Sequence, residues 1–180
     1  MSLDGYVAGR NVSKTNPLGD NGSLLHRWLF HEKTEADEKM LADFVSEVGA
    51  VIVGGRTYTT AIEDAWNCNT PFSASAFVLC HEHPAITADG FLYVHDGIDV
   101  ALKMASETAK EKNVWVMGGA NIIQQYLRAG LVDELHLHIA PCLLGGGTLL
   151  FAETGAAPEE FSLVHAIQSK AVAHLFMIRR

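Results

Sequence analysis

The sequence is poor in the features that mark several large protein classes. It holds only 3 cysteines in 180 residues, Cys68, Cys80 and Cys142. They are widely spaced and odd in number, which excludes a disulfide framework. No apolar run approaches the roughly 20 residues of a membrane span. Residues 1–10 lack the basic start and long apolar stretch of a signal peptide. A soluble, cytoplasmic chain is therefore expected. Cations are scarce: 13 Lys and Arg stand against 21 Asp and Glu, a net charge of −8. Such a chain repels nucleic-acid phosphates and anionic lipid heads, so neither nucleic acid nor membrane is an expected partner. Repeats, low-complexity tracts and Pro/Ser-rich linkers are missing too, and a single domain over residues 1–180 is the simplest organisation. There is no G-x-G-x-x-G opening the chain, no G-x-x-x-x-G-K-[ST] and no G-x-S-x-G. This argues against a standard Rossmann protein, a P-loop protein and a hydrolase with a nucleophile elbow.

What is present is an alternation of short apolar strands and helices. Leu3–Gly9 reads as a strand, and Asn11–Gly22 as a long Asn/Gly/Ser/Pro loop of the kind that often covers a site. Ser23 is placed to cap a short helix through Phe30. Thr34 and Asp37 have capping-box spacing, and Met40, Leu41, Phe44, Val45 and Val48 form an apolar stripe that Gly49 ends. Strands follow at Ala50–Val53, Ala76–Cys80, Phe91–His95, Val114–Met117 and Glu134–Ala140. Helices are expected over Arg56–Ala65, Ile98–Lys112 and Asn121–Ala129. Phe161–Gln168 and Ala171–Ile178 form a terminal hairpin joined at Ser169-Lys170. The pattern predicts an α/β fold, a mainly parallel sheet covered on both faces and extended by antiparallel strands.

Two segments share one design of apolar strand, Gly pair and helix: AVIVGGRTYTTAI and VWVMGGANIIQQYL. Glycines at the carboxyl end of a strand let a ligand approach the backbone. The helix that follows offers free N–H groups and a positive dipole end, which suits phosphate. Arg56 sharpens the reading. It is the only Lys or Arg between Lys39 and Lys103, a stretch with eight acids. A cation in a helix's first turn is disfavoured by about 0.3–1 kcal/mol, and a bound phosphate would reverse that sign. Thr57 adds a hydroxyl donor. The alternative is a surface Arg paired with Glu63 or Asp64.

Other groups invite weaker readings. His136 and His138 share one side of a strand and, with Cys80, His81 and His83, suggest zinc. No C-x-x-C or H-E-x-x-H accompanies them, so structural histidines are expected and no metal. Gly145-Gly146-Gly147 reads as a wide hairpin or bulge. Asp4 is the one acid of the first strand: either it lies at the ligand edge and orients a substrate, or it caps its own turn.

Taken together, SLDGYVAG, VGGRTY, VMGGANIIQQYL and LVDELHLHIAPCLLGGGTLLF resemble the dihydrofolate-reductase-like reductases. The nearest branch is the reductase domain of the bifunctional riboflavin-biosynthesis deaminase–reductase and its stand-alone relatives. The resemblance runs from Ser2 to the C-terminus. It implies a three-layer α/β/α fold with a mixed, mostly parallel eight-stranded sheet and a C-terminal antiparallel hairpin, with NADPH as hydride donor. Carried over by position, Gly55, Arg56 and Thr57 take the adenosine side with its 2′-phosphate. Gly118, Gly119, Ala120, Asn121 and Ile122 take the pyrophosphate. Residues 16–22 correspond to the mobile loop over the nicotinamide, with Gly19 and Gly22 as pivots. Met117 stands where the riboflavin reductases carry an acid, and their zinc-bearing deaminase half has no counterpart in these residues.

The implied activity is NADPH-dependent reduction of a small polar or heterocyclic carbonyl or imine, with an aminopyrimidine of the riboflavin pathway as one candidate. Asp4 and His26 are the expected catalytic residues, and Trp28 the expected flat wall for the substrate. Asp4 would orient the acceptor and His26 would donate a proton. A homodimer is expected, with Leu175, Phe176 and Ile178 as candidate contacts. The competing classes are a non-catalytic nucleotide- or flavin-binding module and a zinc hydrolase, separable by NADPH turnover and by metal analysis.

Overall fold

A computed structural model describes residues 1–152 and 160–180. In chain order the elements are β1 (Tyr6–Ala8), a 3-10 turn η1 (Gly22–His26), α1 (Arg27–Phe30), α2 (Glu35–Glu47), β2 (Val48–Gly54) and α3 (Gly55–Ala61). There follow β3 (Ser75–Leu79), β4 (Phe91–Val94), α4 (Ile98–Ala109), β5 (Asn113–Gly118), α5 (Ala120–Arg128) and β6 (Glu134–Ile139). The last are β7 (Thr148–Leu149), β8 (Phe161–Gln168) and β9 (Ala173–Arg179). Contacts gather into two compact units, residues 43–123 and residues 1–42 with 124–180.

The unit of residues 43–123 is a parallel sheet in the order β4-β3-β2-β5. Its central strand β2 is the apolar run AVIV, buried throughout. A strand buried on both faces needs apolar residues at every position, which is why the run does not alternate. Val51 and Val53 pack with Tyr58, Ile62, Val78 and Phe91. Tyr58 is fully buried, and its hydroxyl lies 2.7 Å from that of Tyr93 and donates to the Ile86 carbonyl at 3.0 Å. Burial raises its pKa above the ordinary tyrosine value. On α4 the buried residues are Ala101, Ala105 and Ala109. That row of small side chains at i, i+4 and i+8 lets the helix lie close to the sheet. At Gly49 a Cβ would stand 2.7 Å from the Cα of Ala109.

The other unit holds two antiparallel sheets. β1 pairs with β7, and β6, β9 and β8 form a three-stranded sheet. The expected hairpin is present, closed by Ser169 N–H donating to the Val172 carbonyl. The Thr34–Asp37 box is present too: Thr34 N–H and Oγ1 donate to the Asp37 carboxylate at 2.7 and 2.8 Å.

Four expectations need correction. Asn21, in a left-handed conformation, precedes η1 with no side-chain cap, so Ser23 does not cap that turn. Val48 belongs to β2 rather than to the stripe of α2, because the chain turns from helix to strand at Glu47. α3 ends at Ala61, and the following turns carry Trp66 onto Phe91, stacked at 5.7 Å. Lastly, the described residues hold nine strands hydrogen-bonded in three groups rather than eight in one. The additional strand β7 is two residues long and directly follows the Gly triplet, too short to leave a periodic signal.

Asp37 generates a stability prediction. Its side chain is fully buried. Burial alone pushes the carboxyl up, but hydrogen bonds from His174, Thr34 and Ser169 outweigh it and hold the pKa at about 2. A depressed folded pKa contributes stability above the unfolded value near 3.8 that is lost as pH falls through about 2. The contribution is about 2 kcal/mol. Urea midpoints measured from pH 6 to pH 2 should fall more steeply for the wild type than for Asp37→Asn. Parallel curves would contradict this account.

Candidate functional site

Parallel strands end together at one edge, and the register decides which turns share it. Here Val53 of β2 lies opposite Gly118 of β5. The two Gly-turns are therefore neighbours at the carboxyl edge of the parallel sheet. At Gly54 a Cβ would stand 3.4 Å from the Gly118 carbonyl oxygen and the Gly119 nitrogen. At Gly119 it would stand 3.0 Å from Thr57 Oγ1. Gly118 has φ +136° and is joined to Gly119 by a cis peptide bond. Any larger residue at these positions would fill the space the turns enclose.

Of the residues expected at the cofactor site, Gly55, Arg56, Thr57 and Gly118 to Ile122 lie at this edge, whereas Gly19 and Gly22 belong to the other unit. Arg56 is exposed in the first turn of α3. Thr57 is half-buried beside Gly119. Ala120 and Ile122 are buried and offer only backbone groups, whereas Asn121 is exposed. Ile122 N–H turns back to the Gly119 carbonyl at 3.2 Å. The half-buried backbone of Gly55 and Gly119, first-turn N–H groups and one guanidinium match the chemistry of a phosphate-bearing dinucleotide. The cradle that a Cβ at Gly54 or Gly119 would occupy fits such a group.

Cys80, read from the sequence only as part of a weak zinc grouping, and His95, given no role there, lie beside this edge. A Cβ at Gly55 would stand 2.7 Å from the Cβ of Cys80. The Cys80 carbonyl oxygen and His95 Nδ1 are 3.0 Å apart. Only the pairing of β3 with β4 brings them together. Met117 packs against the apolar cluster around Val51 and Tyr58. Among the described residues no three His, Cys, Asp or Glu side chains are grouped to hold a metal ion.

The acceptor-side residues lie in the other unit. Asp4 accepts hydrogen bonds from the N–H groups of Leu144 at 3.1 Å and Gly145 at 2.8 Å. The Ser2 side chain, then these two N–H groups, hold its carboxyl below the ordinary value against an opposing effect of burial. Asp4 thus ties the first strand's turn to the start of the Gly-rich loop. His26 ends η1 and is half-buried; burial first, then the Met1 ammonium, push its pKa down. Trp28 is 5% exposed and packs with Met40 and Val172, its ring 5.0 Å from His174 and 5.3 Å from His138. It supports the wall of this unit from within. The loop bearing Gly19 and Gly22 is cross-tied: Asn11 and Asn16 both donate to Asp20, at 2.6 and 3.0 Å. At Gly19, φ is +71° and a Cβ would stand 2.5 Å from Gly9, so glycine is required there for close approach as well as for its φ.

A second group was not anticipated. Asp37, His174 and His138 are hydrogen-bonded in series. His174 Nε2 lies 2.8 Å from Asp37 Oδ1, and His174 Nδ1 lies 2.7 Å from His138 Nδ1. Ser169 Oγ also donates to Asp37, at 2.8 Å. Asp37 and His174 are fully buried. The two histidines are partners in the β6–β9 register, information that neither segment carries alone.

The fold shared with known structures is dihydrofolate-reductase-like. A dihydrofolate reductase from Enterococcus faecalis complexed with NADP(H) matches with a TM-score of 0.54 and 16% identity, over 80% of this chain and 81% of that one. The chain itself belongs to the RibD C-terminal domain family, whose model matches residues 1–174. It is 45% identical over 170 residues to the uncharacterized protein YyaP of Bacillus subtilis (strain 168), covering 85% of this chain and 77% of that one. A Shewanella sp. PV-4 protein assigned to riboflavin biosynthesis matches at TM-score 0.75 and 25% identity, over 100% and 95% of the two chains. A Thermotoga maritima diaminohydroxyphosphoribosylaminopyrimidine deaminase/5-amino-6-(5-phosphoribosylamino)uracil reductase matches at TM-score 0.61 and 15% identity. That match covers 99% of this chain but 54% of the Thermotoga protein, so this chain spans about half of it.

The Asp4 contacts make a direct prediction. Asp4→Ala should speed amide hydrogen exchange at Leu144 and Gly145 by removing both acceptors, while exchange in β2 stays slow. Unchanged exchange at those two amides would show that Asp4 does not hold the loop.

Proposed function

We propose that this protein is an NADPH-dependent reductase that adds a hydride to a small polar or heterocyclic carbonyl or imine. The leading substrate class is an aminopyrimidine of the riboflavin pathway, of the 5-amino-6-(5-phosphoribosylamino)uracil kind. The observation that carries the reading is the pair of Gly-turns set side by side by the Val53–Gly118 register, with Arg56 and Thr57 at their mouth. Membership of the RibD C-terminal domain family supports it.

In this reading the Arg56 guanidinium and the Thr57 hydroxyl bind the 2′-phosphate, which distinguishes NADPH from NADH. Gly118, Gly119 and the first N–H groups of α5 bind the pyrophosphate, and no side chain intrudes. Asn121 borders the same turn, and the buried Ala120 and Ile122 anchor it. NADPH, when bound, supplies the hydride. On the acceptor side, Asp4 acts by holding the Gly-rich loop, and His26 and the Trp28-backed wall border the substrate. Holding donor and acceptor in contact is the protein's main contribution.

The working form is a cytoplasmic homodimer. No helix of the described residues is long and apolar enough to cross a membrane. Phe176 faces inward, against His136 and His165. Leu163 and Val164, at the bulge of β8, are 59% and 61% exposed and offer apolar surface to a second copy. Light scattering at micromolar concentration should give twice the chain mass, and Leu163→Glu with Val164→Glu should halve it. A wild-type monomer would contradict the dimer.

The cofactor reading is tested by titrating NADPH and NADH into three proteins. Arg56→Ala should weaken NADPH by about 10–100-fold and leave NADH nearly unchanged. Gly119→Val should abolish binding of both while the fold persists by circular dichroism. Equal losses for both cofactors in Arg56→Ala would remove the 2′-phosphate role. Cofactor binding with no loss of NADPH absorbance on any carbonyl or imine acceptor would instead identify a non-catalytic nucleotide-binding module.

A further inference from the structure

Four groups in the unit of residues 43–123 form a hydrogen-bonded series whose direction is fixed. Tyr58 Oη–H donates to the Ile86 carbonyl at 3.0 Å, and Ala88 N–H donates to Tyr93 Oη at 3.1 Å. The two hydroxyls lie 2.7 Å apart. A tyrosine hydroxyl has one proton to give, and that of Tyr58 goes to Ile86. The proton between the two rings is therefore that of Tyr93. Both hydroxyls thus give and accept, and residues 86–88 are tied to the pair at each end. Residues 81–90 link β3 to β4 and are mostly exposed, so the pair holds a segment with little packing of its own. The Tyr58 ring also meets Phe91 and Tyr93 edge-on, with centroids 5.0 and 5.6 Å away.

The same pair bears on the rotation of α3. That helix has only 7 residues. It is too short to be stable alone, so packing sets its orientation. Gly54 precedes it without a side-chain cap, and Tyr58 is its one buried residue. Successive residues of a helix point about 100° apart. With Tyr58 turned inward, Thr57 falls on the flank and Arg56, about 200° round, on the outside. The exposures follow this order: Tyr58 is buried, Thr57 is half-buried beside Gly119, and Arg56 is exposed. The Thr59 and Thr60 hydroxyls donate to the Arg56 carbonyl at 3.1 and 2.9 Å, but those contacts turn with the helix and cannot fix its phase. Hydrogen bonds to β4 and to residues 86–88 can, because they are directional and fixed outside the helix.

We propose that Tyr58 and Tyr93 are positioning residues for the Arg56–Thr57 turn. Their paired hydroxyls lock α3 to β4 and to residues 86–88, and so set the direction in which Arg56 and Thr57 face. Preference for NADPH over NADH then depends on two hydroxyls that lie outside both Gly-turns. That Arg56 and Thr57 take the 2′-phosphate rests on the reductase reading; the lock itself does not.

Tyr93→Phe is the informative variant, because it keeps the ring and reaches α3 only through the hydroxyl pair. Without ligand, amide exchange at Ala88 should quicken about tenfold or more. The amide shifts of Arg56 and Thr57 should move, while those of Asn113 and Val114 in β5 stay. Quickened exchange at Ala88 with unchanged Arg56 and Thr57 would overturn the proposal, since the pair would then shape only the loop. With ligand, the ratio of the NADH to the NADPH dissociation constant should fall about tenfold. A general loss of stability weakens both cofactors alike, so the ratio moves only if Arg56 and Thr57 are misdirected. A wild-type preference for NADPH that survives undiminished in Tyr93→Phe would overturn the proposal too. Tyr58→Phe should reproduce both effects; should it fail to fold, Tyr93→Phe decides alone. If Tyr93→Phe moves the Arg56 and Thr57 shifts but the wild type binds NADPH and NADH alike, the lock stands and the 2′-phosphate reading fails.

Discussion

The pairing of β2 with β5 is the constraint on which the candidate site depends. Each strand ends in a Gly pair, but a Gly pair alone makes only a tight turn. The register that sets Val53 opposite Gly118 puts the two turns against each other, with Gly54 within 3.4 Å of the Gly118–Gly119 peptide. Two helix starts then share one edge, and backbone N–H groups from both are available to one ligand. A slip of one residue would separate the two turns and exchange the faces on which every side chain of β2 packs. Because Ala50–Val53 are fully buried on both faces, such a slip is strongly disfavoured, and close packing of the sheet is what keeps the turns aligned.

A buried carboxylate plays the corresponding part in the other unit. Asp37 caps α2 through Thr34, fastens the β8–β9 turn through Ser169 and orients His174 on β9. A charge with no exposure is tolerated because hydrogen-bond donors surround it. One carboxylate thus joins the start of α2, the β8–β9 turn and β9.

The repeated strand–Gly-Gly–helix design was legible in the sequence because its parts are local. An apolar run, a Gly pair and a helical period are each read within a dozen residues. Arg56 was legible because it is the lone cation in a long acidic stretch. The fold class followed from the alternation and from four motifs in order. What could not be read depends on pairing between distant segments. His138 and His174 are 36 residues apart and meet only in the β6–β9 register. Asp37 was visible as a cap but not as a partner of His174, 137 residues away. Asp4 could not be placed between ligand edge and turn until its partners, Leu144 and Gly145, were known. Trp28 has the size and flatness of a ligand wall, yet nothing in its neighbours along the chain tells that it packs inward.

The central claim is that the paired Gly-turns hold a phosphorylated nicotinamide cofactor. The most direct measurement is a titration of NADPH into 15N-labelled protein, followed by amide chemical shifts. The account predicts saturable shifts concentrated at Gly55, Arg56 and Thr57 and from Gly118 to Ile122. Omitting the 2′-phosphate should remove chiefly those at Arg56 and Thr57. Shifts confined to other residues, or none at millimolar NADPH, would contradict it.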